Sequence, residues 1–202
     1  NLEVRPGSFV AVLGASGAGK TSFLSTLCGL LKPTEGEVSF HDNETRLFSP
    51  IMLRGRIGII PQGFHLTENT TVLNNVLCGR LNRYSFFQTL FSFPSSSKDE
   101  AYRIIHDLGI SEYTYRWVAE LSGGEKQRIA VIRALINRPS IVLADEPTGN
   151  LDRENSQILL KLMVDLKLKY QQSFIIATHD KSILEIADRV TYLKDGKIKK
   201  EI

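Results

Sequence analysis

The sequence predicts an α/β fold: a doubly wound, mostly parallel sheet with an antiparallel β part and an inserted helical subdomain. Three observations point there. Runs of uninterrupted apolar residues at 9–13, 141–144 and 174–177 have the pattern of parallel strands buried on both faces. Segments with apolar residues at helical spacing alternate with these runs, which is the signature of α/β winding. Between about residues 63 and 139 such strands are missing and the chain reads as helical.

In chain order, Phe9-Val10-Ala11-Val12-Leu13 is a strand that runs into a glycine-rich turn. Phe23, Leu24, Leu27, Leu30 and Leu31 then fall on one helical face until Lys32-Pro33 stops the pattern. Residues 37–40 and 56–60 read as short strands, and Ile141-Val142-Leu143-Ala144 as a doubly buried one. Ile158, Leu159, Leu162 and Leu166 mark an amphipathic helix that leads to the strand Phe174-Ile175-Ile176-Ala177. Tyr192 to Ile198 is a hairpin, because Asp195-Gly196 supplies the positive φ angles of a tight turn.

With 202 residues, 42% of them hydrophobic and 23% charged, the chain can build a sizeable core, and the composition excludes wholesale disorder. Its longest nearly uncharged stretches, residues 9–18 and 22–31, are broken by Gly and Ser and fall well short of the ~20 apolar residues a membrane span needs. The first residues carry no basic-then-apolar leader, so a cytosolic location is expected. Cys28 and Cys78 lie in apolar helical patterns with no CxxC or His-spaced partner, and buried structural thiols are expected. A net charge of +3, from 25 basic and 22 acidic residues, is too slight to call for nucleic acid.

Gly14-Ala15-Ser16-Gly17-Ala18-Gly19-Lys20-Thr21 matches GxxxxGK[ST] between a strand and a helix, the context a phosphate-binding loop requires. The glycines let successive amides converge on one point, Lys20 can reach the outer phosphates, and the Thr21 hydroxyl can ligate Mg²⁺. Asp145-Glu146 closes the strand at 141–144, at the carboxyl end where parallel sheets bind ligands. Asp145 can hold Mg²⁺ directly or through water and Glu146 can polarise an attacking water, with a helix N-cap role as the alternative for either acid. Leu121-Ser122-Gly123-Gly124-Glu125 opens a second helix with bared amides and a hydroxyl, either a second anion-binding N-terminus or a bare N-cap.

With that stretch the chain resembles the nucleotide-binding subunit of ATP-binding-cassette (ABC) transporters, whose signature is LSGGQ. The resemblance runs from residue 1 to 202 and implies a single P-loop NTPase domain, with a core at 1–62 and 140–202 and a helical subdomain at about 63–139. It implies ATP and Mg²⁺ as cofactors. Gly14 to Ser22 correspond to the Walker A loop and Asp145 with Glu146 to the Walker B pair. Gln62 corresponds to the Q-loop glutamine, His179 to the switch histidine and Asp152 to the D-loop acid. The implied catalytic set is Glu146, His179 and Gln62, and the metal set is Thr21, Gln62 and Asp145. Ser122, Gly123, Gly124, Glu125 and Asp152 would contact ATP held by a second copy. Two departures stand out: Glu125 replaces the family's Gln, and Lys20-Thr21-Ser22 replaces the commoner Lys-Ser-Thr. The adenine-stacking aromatic of the family falls upstream of the first strand, and this chain is expected to begin after it.

Asn75-Val76-Leu77-Cys78-Gly79-Arg80-Leu81, with the aromatic, Ser-rich stretch behind it, is similar to phosphonate-import ATPases. Glu146 to Asp152 is similar to lipoprotein-releasing and macrolide-export cassettes. The insertion is the more unusual feature and favours phosphonate or organic-anion import. The implied partners are a second copy, integral membrane subunits and, for an importer, an extracytoplasmic solute-binding protein, with no nucleic acid. The implied location is the cytoplasmic face of the cell membrane. The clustered aromatics of residues 84–93, Phe87 and Phe91 among them, are expected to help receive a membrane-subunit helix.

Overall fold

The computed structural model describes residues 2–42, 45–47, 55–84 and 93–201. Six strands form the main sheet in the order β4-β5-β6-β1-β7-β8: β4 is Ile57–Ile60, β5 Ile141–Asp145, β6 Ser173–Thr178, β1 Phe9–Leu13, β7 Arg189–Lys194 and β8 Lys197–Glu201. The first five run parallel and β8 returns antiparallel to β7, through a turn in which Asp195 and Gly196 have φ of 51° and 71°. A separate two-stranded antiparallel ladder pairs β2 (Phe40–Asp42) with β3 (Thr45–Leu47).

The alternation of side chains along a strand explains why uninterrupted apolar runs were needed. Phe9, Ala11, Leu13, Val142, Ala144, Phe174 and Ile176 form one core with Leu159, Leu160, Met163 and Leu166 of the long helix Arg153–Tyr170 (α5). Val10, Val12, Leu143, Ile175 and Ala177 point to the other face, where Leu24 of α1 (Lys20–Leu27) covers them. Phe9 and Phe174 are register partners on adjacent strands, and their rings stack at 5.5 Å. Helices on both faces of a parallel sheet make the doubly wound fold the sequence predicts.

Between β4 and β5 the chain forms α2 (Val72–Cys78), α3 (Ser95–Asp107) and α4 (Gly123–Leu135) around their own core of Val72, Val76, Leu77, Ile105, Ile129 and Ile132. Thr71 caps α2 through the Asn74 amide. Buried Arg80 bonds to Ser97 and the Ile136 carbonyl and is ion-paired with Glu100, tying the end of α2 to α3 and α4.

Local details differ from the sequence reading at three places. The helix expected through Leu31 ends at Leu27: Gly29 takes a φ of 76°, its N–H bonds to Thr26 O, and the Leu30 N–H bonds to Ser25 O. That is a Schellman stop, and it leaves Leu30 and Leu31 exposed. The strand expected at 37–40 starts only at Phe40. Cys28, just past α1, is only half-buried, packed against the edge of the core that Leu24 covers, and Cys78, the last residue of α2, is exposed. Of the aromatic segment, Phe86, Phe87 and Phe91 lie outside the described residues. Tyr84 and Phe93 pack edge to face, and Phe93 joins the helical core.

Candidate functional site

Parallel pairing brings the chemistry-bearing segments to one edge. Leu13, the last residue before the glycine-rich loop, is register partner to Thr178, and Asp145 to Ala177. The loop after β1, Asp145 and Glu146 at the end of β5 and His179 after β6 therefore emerge side by side, with β6 between the other two strands. Gln62 follows two residues after β4, at the same edge.

The loop's shape depends on its glycines. A Cβ on Gly14 would lie 2.8 Å from the Leu193 carbonyl, and Gly19 has a φ of 96° just before Lys20 opens α1. Lys20 is buried. Its ammonium turns back to donate to Gly14 O at 2.8 Å and Ala15 O at 3.2 Å, and lies 3.1 Å from Glu146 Oε1. The Thr21 hydroxyl donates to Asp145 Oδ2 at 2.7 Å. The other oxygen, Asp145 Oδ1, is buried with no hydrogen-bond partner among the described residues, which is costly for a carboxylate.

Glu146 is the hub. Its backbone has a φ of 47°, fixed by N–H donation to Ala177 O and by the Gly149 N–H on its own carbonyl. Its Oε2 accepts from the Thr178 hydroxyl at 2.9 Å and the His179 amide at 3.3 Å, and lies 2.9 Å from His179 Nδ1. Burial pushes the carboxyl up. Bonds from His179, Lys20 and Thr178, with the Lys20 charge, outweigh that and hold it below its ordinary value. The His179 ring is mostly exposed, so it is not a core histidine.

Ser122 to Glu125 form a capping box at the start of α4. Glu125 Oε2 accepts from the Ser122 amide and hydroxyl, both at 2.7 Å, and the Glu125 amide donates back to Ser122 Oγ. Burial raises the Glu125 carboxyl; bonds from Ser122 and Tyr113 outweigh this and lower it. Asp152 caps α5 through the Asn155 amide at 2.8 Å.

The structure thus brings Lys20, Thr21, Asp145, Glu146 and His179 together. Among the described residues, no hydrogen bond or ion pair joins Gln62, Ser122, Glu125 or Asp152 to that cluster. The sequence reading missed two participants. Thr178 bonds to the carboxylate of Glu146, and its place immediately before His179 at a strand end was the available signal. Thr148 donates to Asp180 Oδ2, which links the segment after Glu146 to the segment after His179.

A family model described as ABC transporter matches residues 1–149. This chain belongs to the ABC transporter family. It is 39% identical over 207 residues to the lipoprotein-releasing system ATP-binding protein LolD 2 of Chlorobaculum tepidum, covering 98% of this chain and 81% of the relative. It is 38% identical over 201 residues to the phosphonates import ATP-binding protein PhnC 2 of Nostoc sp., covering 98% and 82%. Among solved structures, cbiO1 of Clostridium perfringens, part of the ABC transporter complex cbiONQ, superposes with a TM-score of 0.85 at 27% identity, covering 100% of this chain and 79% of that one. The dimeric post-hydrolysis state of the ATP-binding cassette MJ0796, bound to ADP and Pi, superposes with a TM-score of 0.79 at 30% identity, covering 100% and 88%. As an ABC ATPase the chain is an ATP-binding and ATP-hydrolysing transporter subunit. No helix among its described residues is long and apolar enough to cross a membrane.

Proposed function

We propose that two copies of this chain hydrolyse Mg-ATP at their interface and drive separate integral membrane subunits from the cytoplasmic face of the membrane. Each copy is one domain, with a core at 1–62 and 140–202 and a helical subdomain at about 63–139. The observation that carries the reading is the Lys20–Glu146 contact above the loop, beside a Thr21–Asp145 pair that has one carboxylate oxygen to spare.

In this reading residues 14–22 wrap the phosphates of ATP, and Lys20 leaves Glu146 and the carbonyls of Gly14 and Ala15 to meet the outer ones. The donor set of Thr21, Asp145 and Gln62 suits Mg²⁺, a hard cation that takes oxygen ligands, and the unpartnered Asp145 Oδ1 supports this. When bound, Mg²⁺ neutralises charge on the phosphate oxygens. Glu146, freed from Lys20, accepts the proton of the attacking water, and His179 keeps the carboxylate oriented through its Nδ1 contact. Ser122, Gly123, Gly124, Glu125 and Asp152 of one copy complete the site of the other.

The transported class we favour is phosphonate or a similar organic anion, taken up with a solute-binding protein. The Gly79-Arg80-Leu81 stretch and the aromatic insertion after it support this, as does the likeness to the phosphonates import protein of Nostoc sp.. The run from Glu146 to Asp152 and the 39% identity to the lipoprotein-releasing protein favour export or lipoprotein release as the second reading. Co-expression with each kind of membrane subunit separates the two: ATPase stimulation by a phosphonate-loaded binding protein supports the first, and stimulation only by lipoprotein-release membrane subunits overturns it.

A further inference from the structure

The two glycines of the Ser122 stretch are each backed by a side chain from elsewhere in the same chain. A Cβ on Gly123 would lie 3.6 Å from the Phe64 ring, an ordinary contact that leaves room. Gly124 is different. It is buried, and a Cβ there would fall 2.2 Å from Asn155 Oδ1 and 2.6 Å from Asn155 Cγ, so the amide of Asn155 fills the space a side chain would need. That amide is held from the other side. Asn155 Nδ2 donates to Asp152 Oδ2 at 2.9 Å while the Asn155 backbone N–H donates to Asp152 Oδ1 at 2.8 Å. The start of α4 and the start of α5 are therefore clasped through one half-buried side chain.

We propose that Asn155 is a positioning residue that locks Ser122–Glu125 to Asp152, so that both groups reach the partner copy's ATP as one rigid unit. The proposal rests on the two-copy reading above. α4 joins the helical core through Ile129 and Ile132 and the sheet core, beside α5, through Val131 and Leu135, so the bodies of the two helices are already packed together; without the clasp only their N-terminal ends are free to shift apart, at an entropic cost when they meet the partner's nucleotide. Gly124 is glycine because the clasp leaves no room for a methyl group, whatever else the residue does for phosphate.

The test compares N155A and N155S, alone and in an E146Q background that retains ATP. Nucleotide affinity at protein concentrations too low for dimers, read with a fluorescent ATP analogue, should change less than about twofold, since Lys20 and Thr21 are untouched. ATP-driven dimerisation of the E146Q chain, followed by sedimentation, should weaken about tenfold in both Asn155 variants, the scale of one lost hydrogen bond with its packing. Turnover at saturating ATP should fall similarly at low protein concentration and recover as protein is raised. Because Gly124 itself faces the partner's nucleotide in the two-copy reading, the contact is read in the nucleotide-free monomer: G124A should melt below N155A, and G124A/N155A should return to the N155A melting temperature, because removing the amide clears the space and makes the two changes non-additive. This pair reads the contact even if the single Asn155 variants melt early. Unchanged dimerisation of N155A, or a double variant no better than G124A, overturns the clasp while the two-copy reading stands. Failure of the E146Q parent itself to dimerise with ATP overturns both.

Discussion

Glu146 is a carboxylate that several donors compete to hold. Thr178, the His179 amide and the His179 ring share Oε2, and Lys20 takes Oε1. Its carboxyl is held below its ordinary value: burial raises it, and the bonds from His179, Lys20 and Thr178, with the Lys20 charge, outweigh that. A group depressed in the folded state contributes stability that is present above its unfolded pKa and is lost as pH falls through the lower folded one. The melting temperature of the nucleotide-free wild type should therefore drop more steeply than that of Glu146→Gln as pH is taken from about 6 to about 3; parallel curves would remove the ionic contribution. At neutral pH with ATP, Glu146→Gln should bind nucleotide and lose ~10²–10⁴-fold in turnover, the range of a general base, and wild-type turnover would take Glu146 out of that role. Lys20→Ala should instead lose nucleotide affinity, because an ammonium facing the outer phosphates already contributes in the ground state; titration calorimetry showing unchanged affinity would contradict this.

At the scale of elements, the helices between β4 and β5 hold together through close backbone approach as much as through apolar burial. Gly79, just past α2, is the clearest case: a Cβ there would lie 2.3 Å from the Arg133 carbonyl and 2.6 Å from Ile136 Cγ2, both in or next to α4. Neither the carbonyl nor a β-branched side chain in a packed core can move cheaply. Gly79→Ala should cost about 1–3 kcal/mol, the usual range for overpacking, and lower the melting temperature by roughly 2–4 °C per kcal/mol in a chain this size. A melting curve that overlays the wild type would show that the α2–α4 contact gives way. The same overpacking would act near Arg80, whose bonds to Ser97, Ile136 and Glu100 hang from the end of α2.

For the whole molecule, one copy carries the Lys20–Glu146 cluster, while its Ser122 hydroxyl is engaged by its own Glu125. Under the two-copy reading, an isolated chain binds ATP but lacks donors on the far side of the γ-phosphate, where charge shifts during transfer. The rate per chain should then climb with protein concentration and level off as dimers fill. Mixing Lys20→Ala with Ser122→Arg chains should recover activity that neither has alone, since a mixed dimer contains one site with both halves intact. A specific rate that stays flat from far below to far above the dimer dissociation constant, together with normal turnover by Ser122→Arg, would sink the two-copy reading.

What could be read from the sequence was whatever local chemistry determines. Residues 9–13, 141–144 and 174–177 had to be parallel strands buried on both faces because no polar residue interrupts them, and a strand, a glycine-rich turn and Lys20-Thr21 in succession leave few alternatives to a phosphate loop. The Asp195-Gly196 turn was legible for the same reason, since the positive φ is a property of those two residues. The helix end at Gly29 and the late start of β2 escaped, because apolar spacing continues past a stop that depends on hydrogen bonds and one φ angle. Cys78 is exposed where a buried thiol is expected, because an apolar neighbourhood in sequence does not say which way a residue at a helix end points, whereas Cys28 packs part-buried against the core. Only the tertiary structure decided that β6 lies between β1 and β5, and this brings Thr178 and His179 onto Glu146. It alone brought Asn155 against Gly124, 31 positions earlier in the chain, because which helices pack together is set by the sheet order and not by the spacing of residues along it.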